Sequence, residues 1–133
     1  MKIWGAIFAD WLPDGKRVLL SGAEAGRPPR CWVTDLAGAE PRAVSPEGVE
    51  LHEVTHSIAP DGKSFVGADG EHRIYPVDGG APRAVEGLEP GELPIRWSTD
   101  GTALYVFRRS GLPARVFRLQ IGTGQRQLER EIN

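Results

Sequence analysis

Three times the chain runs a short apolar stretch into an Asp-Gly turn and leaves it in another apolar stretch. The copies are Trp11-Leu-Pro-Asp14-Gly15-Lys-Arg-Val18, Ile58-Ala-Pro-Asp61-Gly62-Lys-Ser-Phe65 and Trp97-Ser-Thr-Asp100-Gly101-Thr-Ala-Leu104. An internal repeat of this length constrains the fold before any single residue is weighed, because each copy must be one supersecondary unit that buries itself against its neighbours. The turns stand 47 and 39 residues apart, close to the ~40 to 50 residues of a four-stranded propeller blade. Gly adopts positive φ without steric cost and an Asp carboxylate bonds nearby amides. Asp14, Gly15, Asp61, Gly62, Asp100 and Gly101 therefore read as hairpin-turn residues, not as three catalytic carboxylates.

Each copy can be laid out as four short strands. The first ends at Trp11, Ile58 or Trp97; the second is Val18-Leu-Leu-Ser21, Phe65-Val-Gly-Ala68 or Leu104-Tyr-Val-Phe107, apolar runs that read as buried on both faces. The third is Cys31-Trp-Val-Thr34, Ile74-Tyr-Pro-Val77 or Val116-Phe-Arg-Leu119, which predicts one shared aromatic position at Trp32, Tyr75 and Phe117. A Gly-bearing turn then leads to Pro41-Arg42-Ala43-Val44 and Pro82-Arg83-Ala84-Val85, with Gln125-Arg126-Gln127-Leu128 in the third copy. Proline there fits an outer edge strand, and the arginines oppose pairing with foreign sheets. The expected class is all-β: three four-stranded antiparallel blades at about 3–45, 51–87 and 92–131.

The bulk numbers agree with many short strands and tight turns. Among 133 residues there are 17 Gly and 11 Pro, 40% hydrophobic and 26% charged residues. A net charge of -2 offers no basic field for phosphates, so nucleic acid and membrane insertion are not expected. Cys31 is the single cysteine, which excludes an internal disulfide and a cysteine metal cluster within one chain. Met1 to Phe8 runs straight into repeat chemistry without a signal-peptide cleavage pattern.

Laid out in this way, the sequence resembles the TolB-like family of β-propeller repeats. The resemblance rests on a blade opening of the type Trp-Ser-Pro-Asp-Gly-Lys, seen at Trp11 to Lys16, Ile58 to Lys63 and Trp97 to Gly101, and on a third strand ending in Asp, seen at Trp32 to Asp35 and Tyr75 to Asp78. Thr99 stands where the family carries Pro, and Gln120 where the earlier copies carry Asp35 and Asp78. The resemblance implies a bacterial extracytoplasmic or periplasmic setting, and company such as scaffolds, receptor-like kinases and serine peptidases. No Gly-x-Ser-x-Gly elbow or kinase Gly-rich loop is present in the chain, and His52-Glu-Val-Thr-His56, which has the His-Glu-x-x-His spacing, is read as continuing a strand and not as a helix.

Propellers close with roughly 4 to 8 blades, so three leave two faces to be covered. A second copy would complete a six-bladed ring as a homodimer, and the rival is a piece of a longer enzyme whose other blades do the covering. The expected function is a non-catalytic scaffold for a protein or peptide partner, or a ligand sensor, needing no cofactor. Asp10, Ser57 and Arg96 sit at one shared position and are candidates to line the channel. His52 and His56, near Glu50, are the weak candidates for a metal, since a credible zinc site wants three or four protein ligands. A metal-dependent hydrolase built on them is the third reading. Arg108, Arg109, Arg115 and Arg118 read as a solvated rim.

Overall fold

The turn chemistry recurs atom for atom in all three copies. In the computed structural model, which describes residues 3–38, 40–51, 57–108 and 114–132, the glycine N–H of each turn donates to the carbonyl three residues back. These bonds run from Gly15 to Leu12 at 3.0 Å, Gly62 to Ala59 at 2.9 Å and Gly101 to Ser98 at 2.9 Å. Each aspartate accepts the amide two residues on, from Lys16 at 2.9 Å, Lys63 at 2.9 Å and Thr102 at 3.1 Å. The three glycines have φ of 68°, 72° and 74°, the left-handed region that this turn requires and that a Cβ would disfavour.

Around these turns the chain forms three antiparallel sheets. The first comprises β1 (Ile3–Trp11), β2 (Arg17–Glu24), β3 (Arg30–Asp35) and β4 (Arg42–Ala43), paired in chain order. The second comprises β5 (Ser64–Ala68), β6 (His72–Pro76) and β7 (Arg83–Ala84), and the third β8 (Glu92–Trp97), β9 (Ala103–Arg108), β10 (Ala114–Gln120) and β11 (Arg126–Ile132). In the second sheet the innermost strand is represented by two isolated bridges, Glu50 to Ala68 and Ile58 to Phe65. Among the described residues every regular element is a strand, and the three sheets are blades of a β-propeller.

Pairing registers test the alignment of the copies. Trp11 faces Val18, Ile58 faces Phe65 and Trp97 faces Leu104, so the first-strand positions agree with the sequence reading. The third strand does not. Trp32 faces Leu20 and Phe117 faces Val106, six residues after their turn aspartates, whereas Tyr75 faces Phe65, four after Asp61. Arg73, not Tyr75, holds the position shared by Trp32 and Phe117; Tyr75 corresponds to Thr34 and Leu119. The cause is a short connection from Ala68 to His72 in the second blade, which slips the register by two and so keeps every side chain on its expected face. In the third blade an irregularity between Val116 and Phe117 shifts the register by one. Nearer the turn, the tight connection from Gln120 to Gln125 sets Arg126 opposite Leu119 and toward the interior, whereas Arg42 and Arg83 face Val33 and Ile74, one place along, and remain exposed.

Two apolar seams join the blades. In the first, Leu19, Cys31 and Val33 from blade one meet Phe65, Tyr75 and Val77 from blade two, with Val44, Val49 and Leu51 between them. The Phe65 and Tyr75 rings stack with centroids 5.5 Å apart. In the second, Val66 and Ile74 meet Trp97, Leu104, Val106 and Leu119. Cys31 is 0% exposed in the first seam, and burial pushes its thiol up to about 12.

Two outcomes follow. Bonds from the Ser98 hydroxyl and from Thr102 lower the Asp100 carboxyl to about 2, below its value of about 3.9 in an unfolded chain, so its contribution is complete above pH 4 and lost as pH falls toward 2. Urea midpoints measured from pH 5 down to pH 2 should therefore drop less steeply in Asp100→Asn than in the parent chain. The Cys31 thiol should resist an aromatic disulfide reagent at pH 8 until urea unfolds the protein, and then react completely.

Candidate functional site

The chain leaves blade two at Val85 and enters blade three at Glu92, and this connector overhangs β6. Between them lies an open cleft of about 570 Å³, walled by Glu71, His72 and Arg73 on one side and by Leu88, Glu89 and Glu92 on the other. Its placement follows from the meander. Asp-Gly turns gather at one end of the sheets, so the β5–β6 loop and the interblade connector share the other end.

Charge in the cleft is arranged in pairs. Arg73 reaches Asp69 at 2.7 Å and Glu71 at 3.0 Å, and Arg108 reaches Glu89 at 2.7 Å. Glu92 has no exposed side-chain surface, and both its carboxylate oxygens accept from Arg126, Oε1 at 2.9 Å. Oε1 also accepts the Glu89 amide at 2.8 Å. Burial opposes the charge on Glu92, but the Arg126 and Glu89 bonds outweigh it and hold the carboxyl below its usual range. The Arg126 guanidinium lies 4.4 Å over the Phe117 ring and donates to the Gly87 carbonyl at 2.7 Å. At Gly87, φ is +82° and an added Cβ would meet the Gly124 carbonyl oxygen at 2.5 Å, so the connector lies hard against the last turn of blade three.

The cleft therefore presents both signs of charge, already paired with one another. The carboxylates of Glu71, Glu89 and Glu92 are each held by a guanidinium. Sequence reasoning missed Glu92 and Arg126, because the one-residue shift that brings them together is invisible in the repeat.

The sequence candidates fall elsewhere. Asp10 is half-buried and its Oδ1 accepts the Trp11 amide at 2.8 Å, while Arg96 is exposed. Ser57 is 0% exposed, and its carbonyl accepts the Trp97 indole N–H at 3.0 Å across the second seam. His52 and His56 lie outside the described residues; Glu50 is exposed and bonded through its backbone to Ala68. Among the described residues no group of three His, Cys, Asp or Glu side chains could hold a metal ion.

Removing one member of the buried pair should be costly. Arg126→Met strands the fully buried Glu92 carboxylate and should lower unfolding free energy by about 3 to 5 kcal/mol, more than Glu92→Gln does, because Arg126 keeps partial contact with water. Equilibrium denaturation of both variants and of the double variant checks this order.

Comparison with known proteins bears on the fold. The sequence matches no protein-family model and no curated protein. Among solved structures, TolB from Acinetobacter baumannii superposes with a TM-score of 0.65 at 23% identity, over 95% of this chain and 32% of that one. A putative TolB from Agrobacterium tumefaciens gives 0.66 at 18% identity over 90% and 44%. An oligogalacturonate lyase in complex with manganese gives 0.57 at 18% over 92% and 38%. The chain thus spans less than half the length of each, and its fold is that of a TolB-like β-propeller, represented by three blades.

Proposed function

We propose that this chain is a non-catalytic β-propeller unit for protein interaction or ligand sensing, and that it completes its ring by association with a second copy. One observation supports the reading. Along β2, Val18 and Leu20 are half-buried while Leu19 and Ser21 are buried; along β9 the order reverses, with Leu104 and Val106 buried and Tyr105 and Phe107 half-buried. In β5 all four corresponding residues, Phe65 to Ala68, are buried. The second strand of the middle blade is covered on both faces and that of each outer blade on one. The two uncovered faces have opposite parity in the pleat, as required if blade three of one copy is to receive blade one of another.

A second reading draws on the lengths of the solved relatives, of which this chain spans 32% to 44%. Here the covering blades belong to a longer polypeptide, and the three blades serve as part of an accessory propeller of an enzyme such as a peptidase or receptor-like kinase. An extracytoplasmic setting accompanies either reading through the TolB resemblance. Under both, the cleft beside β6 offers a protein or peptide segment a mixed-charge groove.

Sedimentation velocity at micromolar concentration separates the two. Self-association should give a discrete species of twice the 14.5 kDa chain mass. A monomer that unfolds cooperatively would remove the self-association reading.

A further inference from the structure

We infer that Trp11 is the anchor by which this chain docks head to tail on blade three of a second copy, its indole N–H reaching the Arg96 carbonyl there. The inference rests on the self-association reading and names the contact that makes it.

Three contacts tie blade three to blade two, and the second and third of them recur between blade two and blade one. Trp97 of blade three is 5% exposed and donates its indole N–H to the Ser57 carbonyl of blade two at 3.0 Å. The residue that follows the third strand is tucked into the seam: Val77, 2% exposed, in the first, and Ile121, packed on the apolar cluster, in the second. The turn glycine leans on the preceding blade's turn proline. A Cβ added to Gly62 would lie 3.1 Å from Pro13 Cδ, and one added to Gly101 would lie 3.7 Å from Pro60 Cδ.

Pairing register identifies the counterparts in blade one, which are Trp11, Leu36 and Gly15. Each of them is open. Trp11 is 51% exposed and Leu36 74%, and nothing stands within 4 Å of a Cβ built on Gly15. Trp11 and Leu36 are two of the three large apolar side chains exposed among the described residues. Trp32, on the same face, is satisfied within its own blade, donating to the Gly22 carbonyl at 3.0 Å beneath Arg30.

The receiving side is open as well. Ser57 and Pro60, which accept blade three, correspond to Arg96 and Thr99, and both of these are exposed. Donor and acceptor sets occur once each, at opposite ends of one stack of blades. A second copy therefore satisfies both at once, and its Trp11 supplies a large, rigid, amphipathic side chain of the kind that dominates interfaces.

The test compares the parent chain, Trp11→Ala, Thr99→Arg and an equimolar mixture of the two variants by sedimentation equilibrium, with far-ultraviolet circular dichroism to confirm folding. Both sites are exposed, so the variants should keep the parent spectrum. The parent should dimerise and each variant should associate at least about thirtyfold more weakly. The mixture should associate more tightly than either variant alone and more weakly than the parent, because one joint of the ring pairs an intact Trp11 with an intact Thr99 while the other joint carries both substitutions. A Trp11→Ala chain that associates as tightly as the parent would overturn the anchor and leave self-association standing. A mixture that associates no more tightly than either variant alone, with both spectra intact, would overturn the head-to-tail arrangement. A parent chain that stays monomeric at every concentration would overturn both readings together.

Discussion

A pleated strand has two faces, and the stacking of blades turns that fact into a demand for neighbours. Side chains alternate across each sheet, so Leu19 and Val33 of blade one look toward blade two while Val18 and Leu20 look away from it. Phe65 and Tyr75 answer the first set; Val66 and Ile74 turn to Leu104 and Leu119 on the other side. Burial in this molecule is thus a property of pairs of blades, and no blade holds a core of its own. The cleft, the connector and the buried ion pair all occupy places that these two seams define.

The Asp-Gly turns supply the repeatability that the seams require. Each aspartate ties down the amide beyond its glycine, so the second strand leaves every turn in one orientation and presents the same parity to its neighbour. Charge enters where the apolar seam meets the connector. Glu92 and Arg126 span the first and last strands of blade three, with Phe117 beneath the guanidinium, so the outer strand is held to the inner one by charge where the pleat alone would not specify its register.

Much of this architecture was legible in the residues, because Asp-Gly chemistry and the apolar runs beside it are local signals. Strand positions next to the turns, Trp11, Ile58 and Trp97, could be placed by counting from the aspartate. Positions farther away could not. The distance from Asp61 to the third strand depends on how tightly Ala68 connects to His72, and aromatic identity at Tyr75 was a poor substitute for that length. The single-residue shift that turns Arg126 inward depends on the length of the turn from Gln120 to Gln125, which the repeat does not announce. The expected burial of the second strand on both faces holds for Phe65 to Ala68 alone, since it reflects the neighbours a blade has and not the apolarity of its sequence. Of the site, the turn carboxylates each accept a backbone amide within their own turn, a local pattern, whereas Glu92 emerges only when strands distant in sequence are brought side by side.

The two internal joints are filled differently, and that difference carries information. Stacked rings of Phe65 and Tyr75 occupy one; an indole clasp from Trp97 to Ser57 marks the other, where blade two has only Ile58 at the matching position. Such joints are keyed, like wards in a lock. Transposing blades within the chain would set ring against indole and leave one of them unmet, so the order of the three units is written into their side chains as well as into the chain that links them.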